Sequence, residues 1–222
     1  MANTCSYTAR IKGRKQDVVD FLHWLRGSGP KIEVTEKRTD DDEPRTVRRI
    51  CTGYVGRIGC DKSPLTIRSN RNEYLVELCD ECAWSVNSSG VAFPSVDDRK
   101  SIPTLAEEFG LEIEIFSVEY GMGFDEYYYF NGNDPDENEE EEFSHDGRED
   151  ELESLGYTFD ENEQEWRDPN GDVVEMPIDV VRERDFPWEW RYLLDKKWES
   201  RRFKRFTLST FLAANPGSWT LR

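Results

Sequence analysis

Apolar and polar positions alternate along Cys5–Lys12 (CSYTARIK), the two-residue period of a β-strand. The period then lengthens. Val18, Val19, Phe21, Leu22 and Leu25 recur at helical spacing within Gln16–Arg26 and Gly27 follows, which predicts an amphipathic helix with a glycine stop. Lys31–Lys37 and Thr46–Gly56 read as two strands around the acidic turn Asp40-Asp41-Asp42-Glu43-Pro44. Tyr74–Val86 (YLVELCDECAWSV) is a further strand, rich in β-formers, and its alternation puts Trp84 in the core, as that of the strand around Phe116 does for Phe116. A short helix is predicted over Pro103–Phe109, capped by Ser101 and stopped by Gly110. Leu111–Tyr120 (LEIEIFSVEY) alternates apolar with acidic residues, as a half-buried strand does. The resulting order, β, α, β-hairpin, β, α, β, is that of an α+β ferredoxin-like split βαβ sandwich over residues 1–132.

The pattern changes twice more. From Asp134 to Glu165 there are sixteen acids against one base, Arg148, a stretch assigned to an acidic segment over 133–181. Within it, Leu155–Trp166 followed by Asp168-Pro169-Asn170-Gly171 predicts a small hairpin with Tyr157, Phe159 and Trp166 able to stack. Residues 182–222 interleave aromatic with basic residues: Trp188, Trp190, Tyr192, Trp198, Phe203, Phe206 and Phe211 among Arg191, Lys196, Lys197, Arg201, Arg202, Lys204 and Arg205. This segment is predicted to be helical from about Pro187.

Composition sharpens this picture. The 222 residues carry a formal net charge of -18, which repels DNA, RNA and anionic membranes and favours basic partners. The aromatic share of 13% argues that part of the chain folds, as a compact aromatic core diluted by a highly charged segment. No apolar run reaches membrane-spanning length and the N-terminal residues lack a signal-peptide pattern, so the expected location is the cytoplasm of a host cell. Five cysteines, an odd number, do not suggest a disulfide framework.

Residues 1 to about 130 resemble a family of plasmid- and phage-encoded ferredoxin-like domains, the YubB-like or Api92-like proteins. The resemblance is carried by Ile11-Lys12-Gly13 leading into the first helix and by Cys82-Ala83-Trp84 closing a strand. It continues through Leu105–Phe109, Glu119-Tyr120-Gly121, Gly123-Phe124 and Asn131-Gly132, the last of these after an aromatic strand. Asn87–Pro94 is shorter and richer in serine than the corresponding family segment. The resemblance implies a mobile-element context and supplies no catalytic residues.

Candidate chemistry is sparse. Cys79-Asp80-Glu81-Cys82 has zinc-ligand spacing, and Cys51 with Cys60 would complete four thiolates. Residues three apart on a strand face opposite sides, however, so buried thiols are the expectation. Neither His23, on the first helix, nor His145, in the acidic run, neighbours a nucleophile motif. Glu119 with Asp125 and Glu126 can be read as a carboxylate cluster for acid–base work or a divalent cation, and Gly121-Met122-Gly123 is too short for a phosphate loop. No enzyme activity and no cofactor are expected.

The acidic run carries the functional expectation. Its carboxylates would imitate a phosphate backbone and bind a host nucleic-acid-handling protein, such as a CRISPR effector, without any direct binding of nucleic acid. The candidate contact residues are Asp134, Asp136, Glu137, Glu139, Glu140, Glu141, Glu142, Glu149, Asp150 and Glu151, with Tyr127, Tyr129 and Trp166 as aromatic anchors. The alternative is a structural or regulatory adaptor, or a homodimer, joined through the aromatic C-terminal helix.

Overall fold

The computed structural model describes residues 4–36, 43–52, 62–92, 95–119, 123–144, 148–160, 162–174 and 203–220. Strand β1 (Thr4–Arg14) leads directly into helix α1 (Lys15–Leu25), whose end is marked by Gly27 at φ +72°. Among the described residues, strands β2 (Lys31–Glu36) and β3 (Arg45–Ile50) pair only with each other. Next come β4 (Pro64–Ser69) and β5 (Glu73–Ala83), α2 (Ile102–Phe109), β6 (Glu112–Glu119), β7 (Phe124–Asn131) and β8 (Glu139–Ser144). Helix α3 (Glu149–Ser154) precedes a three-stranded sheet of β9 (Thr158–Asp160), β10 (Glu165–Arg167) and β11 (Val173–Val174). Strand β12 (Phe203–Thr207) and helix α4 (Leu208–Ala214) follow.

The main sheet has seven strands in the order β12-β4-β5-β1-β6-β7-β8, every pair antiparallel. Its two faces are set by β1. Cys5, Tyr7, Ala9 and Ile11 point to the side covered by α1, α2 and α4, where they meet Val18, Phe21, Leu22, Leu105, Ile113, Tyr128 and Phe211. The opposite face holds a smaller cluster of Leu75, Phe116, Tyr127, Tyr129, Phe143 and Leu152, against which Tyr157 and Trp166 pack.

Local chemistry explains the boundaries. The side chain of Asn70 accepts hydrogen bonds from the backbone N–H of Asn72 (3.0 Å) and Glu73 (2.8 Å), turning β4 into β5. Ser101 caps α2 through its hydroxyl, and Gly110 at φ +61° ends the helix. Gly132 lies so close to α2 that a Cβ there would stand 1.9 Å from the carbonyl oxygen of Ala106. The predicted hairpin is present, with Trp166 opposite Phe159 and their rings 5.3 Å apart and tilted, whereas Tyr157 packs against the smaller core.

Four expectations are corrected. The hairpin that enters the main sheet is β4–β5, not β2–β3: Leu65 and Ile67 alternate inward, whereas Arg45, Arg48 and Arg49 leave β3 without an apolar face. The boundary at residue 133 does not separate a domain, because β8 belongs to the main sheet. Nor does the C-terminal stretch form a separate helical segment where it is described. Phe203–Thr207 is a strand, and Leu208, Phe211 and Leu212 of α4 are buried in the main core rather than offered to a second copy. The tail is fastened to α1 as well: Asp20 accepts from the N–H of Ser218 (2.8 Å), and His23 Nε2 lies 2.9 Å from the carbonyl of Asn215. Finally Trp84, expected in the core as the end of an alternating strand, is 55% exposed, with a left-handed φ of +70°. The expected helix start at Pro187 and the turn residues Asp40, Asp41 and Asp42 lie outside the described residues.

Phe116 and Trp84 therefore differ in weight. Phe116 is 3% exposed, with its ring 4.9 Å from that of Tyr127. Replacing Phe116 by Ala is expected to cost about 3–5 kcal/mol in urea unfolding, and Trp84→Ala less than about 1 kcal/mol. Equal losses would contradict the arrangement.

Candidate functional site

The acidic residues fall into two groups with opposite surroundings. The first group is exposed. After β7 the chain turns through Asp134, Asp136 and Glu137, held by the Asn138 side chain, which accepts from the Asn131 N–H (2.7 Å), and by Asn131 Nδ2 donating to Glu137 (2.6 Å). It then runs back along β7 as β8, at one edge of the sheet in the described structure. Phe143, opposite Asp125, is the buried residue of β8, whereas Glu139, Glu140, Glu141 and Glu142 are all exposed. Strand geometry puts Glu139 and Glu141 on the face of Phe143, and Glu140 and Glu142 on the other. Same-face carboxylates are then about 7 Å apart. In water such a pair repels by only roughly 0.6 kcal/mol, which pairing with β7 withstands.

Helix α3 extends the acidic surface with exposed Glu149 and Asp150, while Glu151 is half-buried and ion-paired with Arg148. Arg148 also sits over the Phe143 ring at 4.8 Å, tying α3 to β8.

The aromatic anchors are elsewhere. Tyr127 and Tyr129 are buried, at 0% and 7% exposure, and this corrects their expected role as surface contacts. They project from β7 into the smaller core, where Tyr127 donates to Glu114 (3.4 Å) and Tyr129 to Glu112 (3.2 Å). Trp166 is half-buried against the same cluster.

The second group of acids is buried: Glu114, Glu119, Asp125 and Glu126 on β6 and β7. Glu126 is the best furnished. It accepts hydrogen bonds from the backbone N–H of Val86 (2.8 Å) and Asn87 (3.1 Å), from the Ser117 hydroxyl (2.6 Å) and from the Tyr128 hydroxyl (3.1 Å). Four donors replace the water this carboxylate loses. The consequence is mechanical: Glu126 pins the start of the π-helical turn Asn87–Val91 to the sheet, shortly after the exposed Trp84 in the chain. The sequence signal for this is faint, an acid at the start of a tyrosine-rich strand and a serine-rich loop after Trp84.

The other proposed clusters are not assembled. Glu119 pairs with Phe124 and Asp125 with Val118, so their side chains leave opposite faces of the sheet and cannot share a cation. Cys79 is exposed beside Thr8, whereas Cys82 is buried opposite Cys5 on the helix-covered face, so the C-x-x-C does not chelate. Cys51 is buried near Gly29, and Cys60 lies outside the described residues, as do His145, Tyr120, Gly121 and Met122. His23 is a structural residue, bonded to Ser28 and Asn215 and edge-on to Trp219. Among the described residues no group of three or more His, Cys, Asp or Glu side chains is placed to hold a metal ion.

Burial and neighbouring carboxylates raise two phenols and the Cys51 thiol, the latter first by burial and then by Asp98. Tyr128 is raised well above the ordinary phenol value, first by burial and then by Glu126. Tyr129 is raised likewise by burial and Glu112. The Cys5 thiol is lowered, chiefly by the proximity of Cys82, against the opposing effects of burial and of Glu126 and Glu119.

Comparison with known proteins returns no matching family model, no matching curated protein and no matching solved structure. Among the described residues no helix is long and apolar enough to cross a membrane.

Two tests follow from this geometry. Glu126→Ala strands four donors and is expected to destabilise the fold by about 3 kcal/mol or more. Amide exchange of residues 84–92 should quicken more than that of β1, and unchanged protection there would contradict the pinning role. The phenols give a pH prediction. A raised folded pKa means that the native state holds protons the unfolded chain has released. The stability from Tyr128 and Tyr129 is therefore complete below about pH 10 and lost as pH rises above it. Alkaline spectrophotometric titration should find at least two of the nine tyrosines ionising only with unfolding.

Proposed function

We propose that this chain is a non-enzymatic inhibitor carried by a mobile genetic element, and that it occupies the basic groove of a host nucleic-acid-handling protein such as a CRISPR effector. The observation that carries the reading is β8. Four consecutive carboxylates, Glu139 to Glu142, are exposed on a strand fixed by its pairing with β7. A strand advances about 3.4 Å per residue, and one strand of a DNA duplex carries a phosphate about every 3.4 Å along the axis. Along its axis, counting both faces, β8 thus carries about the charge density of one nucleic-acid strand, and either face alone carries half of it, on a strand held by β7. Asp134, Asp136, Glu137, Glu149 and Asp150 continue the same charge beyond its ends.

Under this reading the strands β6-β1-β5-β4 with α1 and α2 are a ferredoxin-like split βαβ core, extended by β7–β8 on one side and β12 on the other. The inhibitor works in the host cytoplasm and does not bind nucleic acid itself, because its charge has the wrong sign. Individual surface ion pairs contribute only about 0.2–1 kcal/mol, so affinity comes from many carboxylates acting together.

The test is capture of host protein on the immobilised chain, with nucleic acid as competitor. The captured protein is expected to bind nucleic acid on its own and to be displaced by it. Its affinity for the chain should fall roughly tenfold or more as salt rises from about 0.05 to about 0.2 M. Replacing Glu139, Glu140, Glu141 and Glu142 together by Gln should abolish capture while leaving the melting temperature within a few degrees, since all four side chains are exposed. A quadruple variant that still binds the captured protein and inhibits it like wild type would sink the proposal.

A further inference from the structure

Cys5 and Cys82 stand directly opposite each other, in register across β1 and β5, near the end of both strands. Both are buried, at 0% and 3% exposure, on the helix-covered face. Directly opposed residues on antiparallel strands have Cα atoms about 4.5–5.5 Å apart, inside the 4.4–6.8 Å that a disulfide spans. Their Cβ atoms, about 4.5–5.5 Å apart, need to close by only about an ångström. We propose that this pair is a redox modification site, at which a peroxide converts the two thiols into a disulfide that staples the start of β1 to the end of β5.

The surroundings favour the step. The proximity of Cys82 is the largest influence on the Cys5 thiol and shifts it toward thiolate, the reactive form. Cys5 is the second residue of β1, and strand ends open locally far more often than strand centres. The Cys5 thiolate attacks one peroxide oxygen, the O–O bond breaks, and hydroxide leaves with the thiol proton as water. The sulfur of Cys82 then attacks the resulting sulfenic sulfur, forming the S–S bond and releasing a second water with its own proton. Two thiols and one hydrogen peroxide give one disulfide and two waters. The disulfide closes a loop of about 78 residues and fixes Cys82, two residues before Trp84, so it tightens the segment that Glu126 pins.

The experiment treats the folded full chain with hydrogen peroxide, quenches it with acid, alkylates it and maps its peptides by mass spectrometry. The expected result is one cross-linked peptide pair containing Cys5 and Cys82, a mass lower by about 2 Da, and a melting temperature higher by about 10 °C that dithiothreitol reverses. Cys79→Ser should leave the cross-link intact, and Cys82→Ser or Cys82→Ala should remove it. The peptide map of the unsubstituted chain decides the matter even if the Cys82 variants fold poorly. The proposal is overturned if Cys5 and Cys82 both remain alkylatable at peroxide concentrations that oxidise the exposed Cys79. It is equally overturned if either residue is found joined to a different cysteine.

Discussion

Strand β1 is paired along both edges, over eleven residues with β5 and seven with β6, and that register assigns every neighbouring side chain to a face. A slip of one residue would carry Arg10 and Lys12 under the helices and expose Tyr7 and Ile11. Cross-strand charges oppose such a slip. Arg10 lies between Glu77 at 3.0 Å and Glu114 at 3.9 Å, and Lys12 is paired with Glu112. Buried or half-buried pairs of this kind add little net stability, because desolvation offsets their attraction. Misplacing one of them, however, leaves a charge without its partner, which is far worse. The ion pairs thus specify the register, while the apolar face beneath α1 and α2 supplies the driving force.

That division explains what the sequence made legible. Periodicity was sufficient for β1, α1, β5 and α2, because each has one apolar face and a local stop such as Gly27 or Gly110. It also placed β6, but that strand is buried on both faces, with Phe116 and Glu114 under the second cluster, rather than half-buried as its alternation suggests. It failed where neighbours rather than local pattern decide. β7 is buried on both faces, so its acids Asp125 and Glu126 could not be told from surface residues. β8 has four glutamates in a row and owes its place to β7 and Phe143. β12 carries Lys204 and Arg205 among aromatics, a pattern that suits an amphipathic helix until β4 offers an edge. Trp84 was misread for a related reason. It follows the alternation of β5, but the backbone turns left-handed there and the indole leaves the core.

The candidate site was legible in its charge and illegible in its order. Glu139 to Glu142 and Glu126 are the same residue type on adjacent strands, yet their roles differ completely. Glu126 is surrounded by donors from Val86, Asn87, Ser117 and Tyr128 and acts as an internal tie. The β8 glutamates meet solvent, and their repulsion, small in water, is tolerated because β7 supplies the backbone partners. Tyr127 and Tyr129, which look like recognition aromatics in sequence, are buried in the smaller core, so in the proposed function the contact at this edge rests on charge.

An acidic strand at a sheet edge also selects how a partner can attach. An open edge presents unpaired N–H and C=O groups to any passing strand, and charged side chains are a common defence against it. Four glutamates set a second β8 against like charge, which disfavours pairing between copies through this edge. A neutral strand would have to leave carboxylates flanking it without compensation. What remains favourable is a partner that brings Arg and Lys side chains to both faces of the strand, and bidentate guanidinium–carboxylate geometry suits that approach best. A groove built to hold a phosphate backbone has that chemistry. At this edge of the described sheet, the feature that disfavours a further strand is therefore the same one that, in the proposed function, directs it to a nucleic-acid-binding cleft.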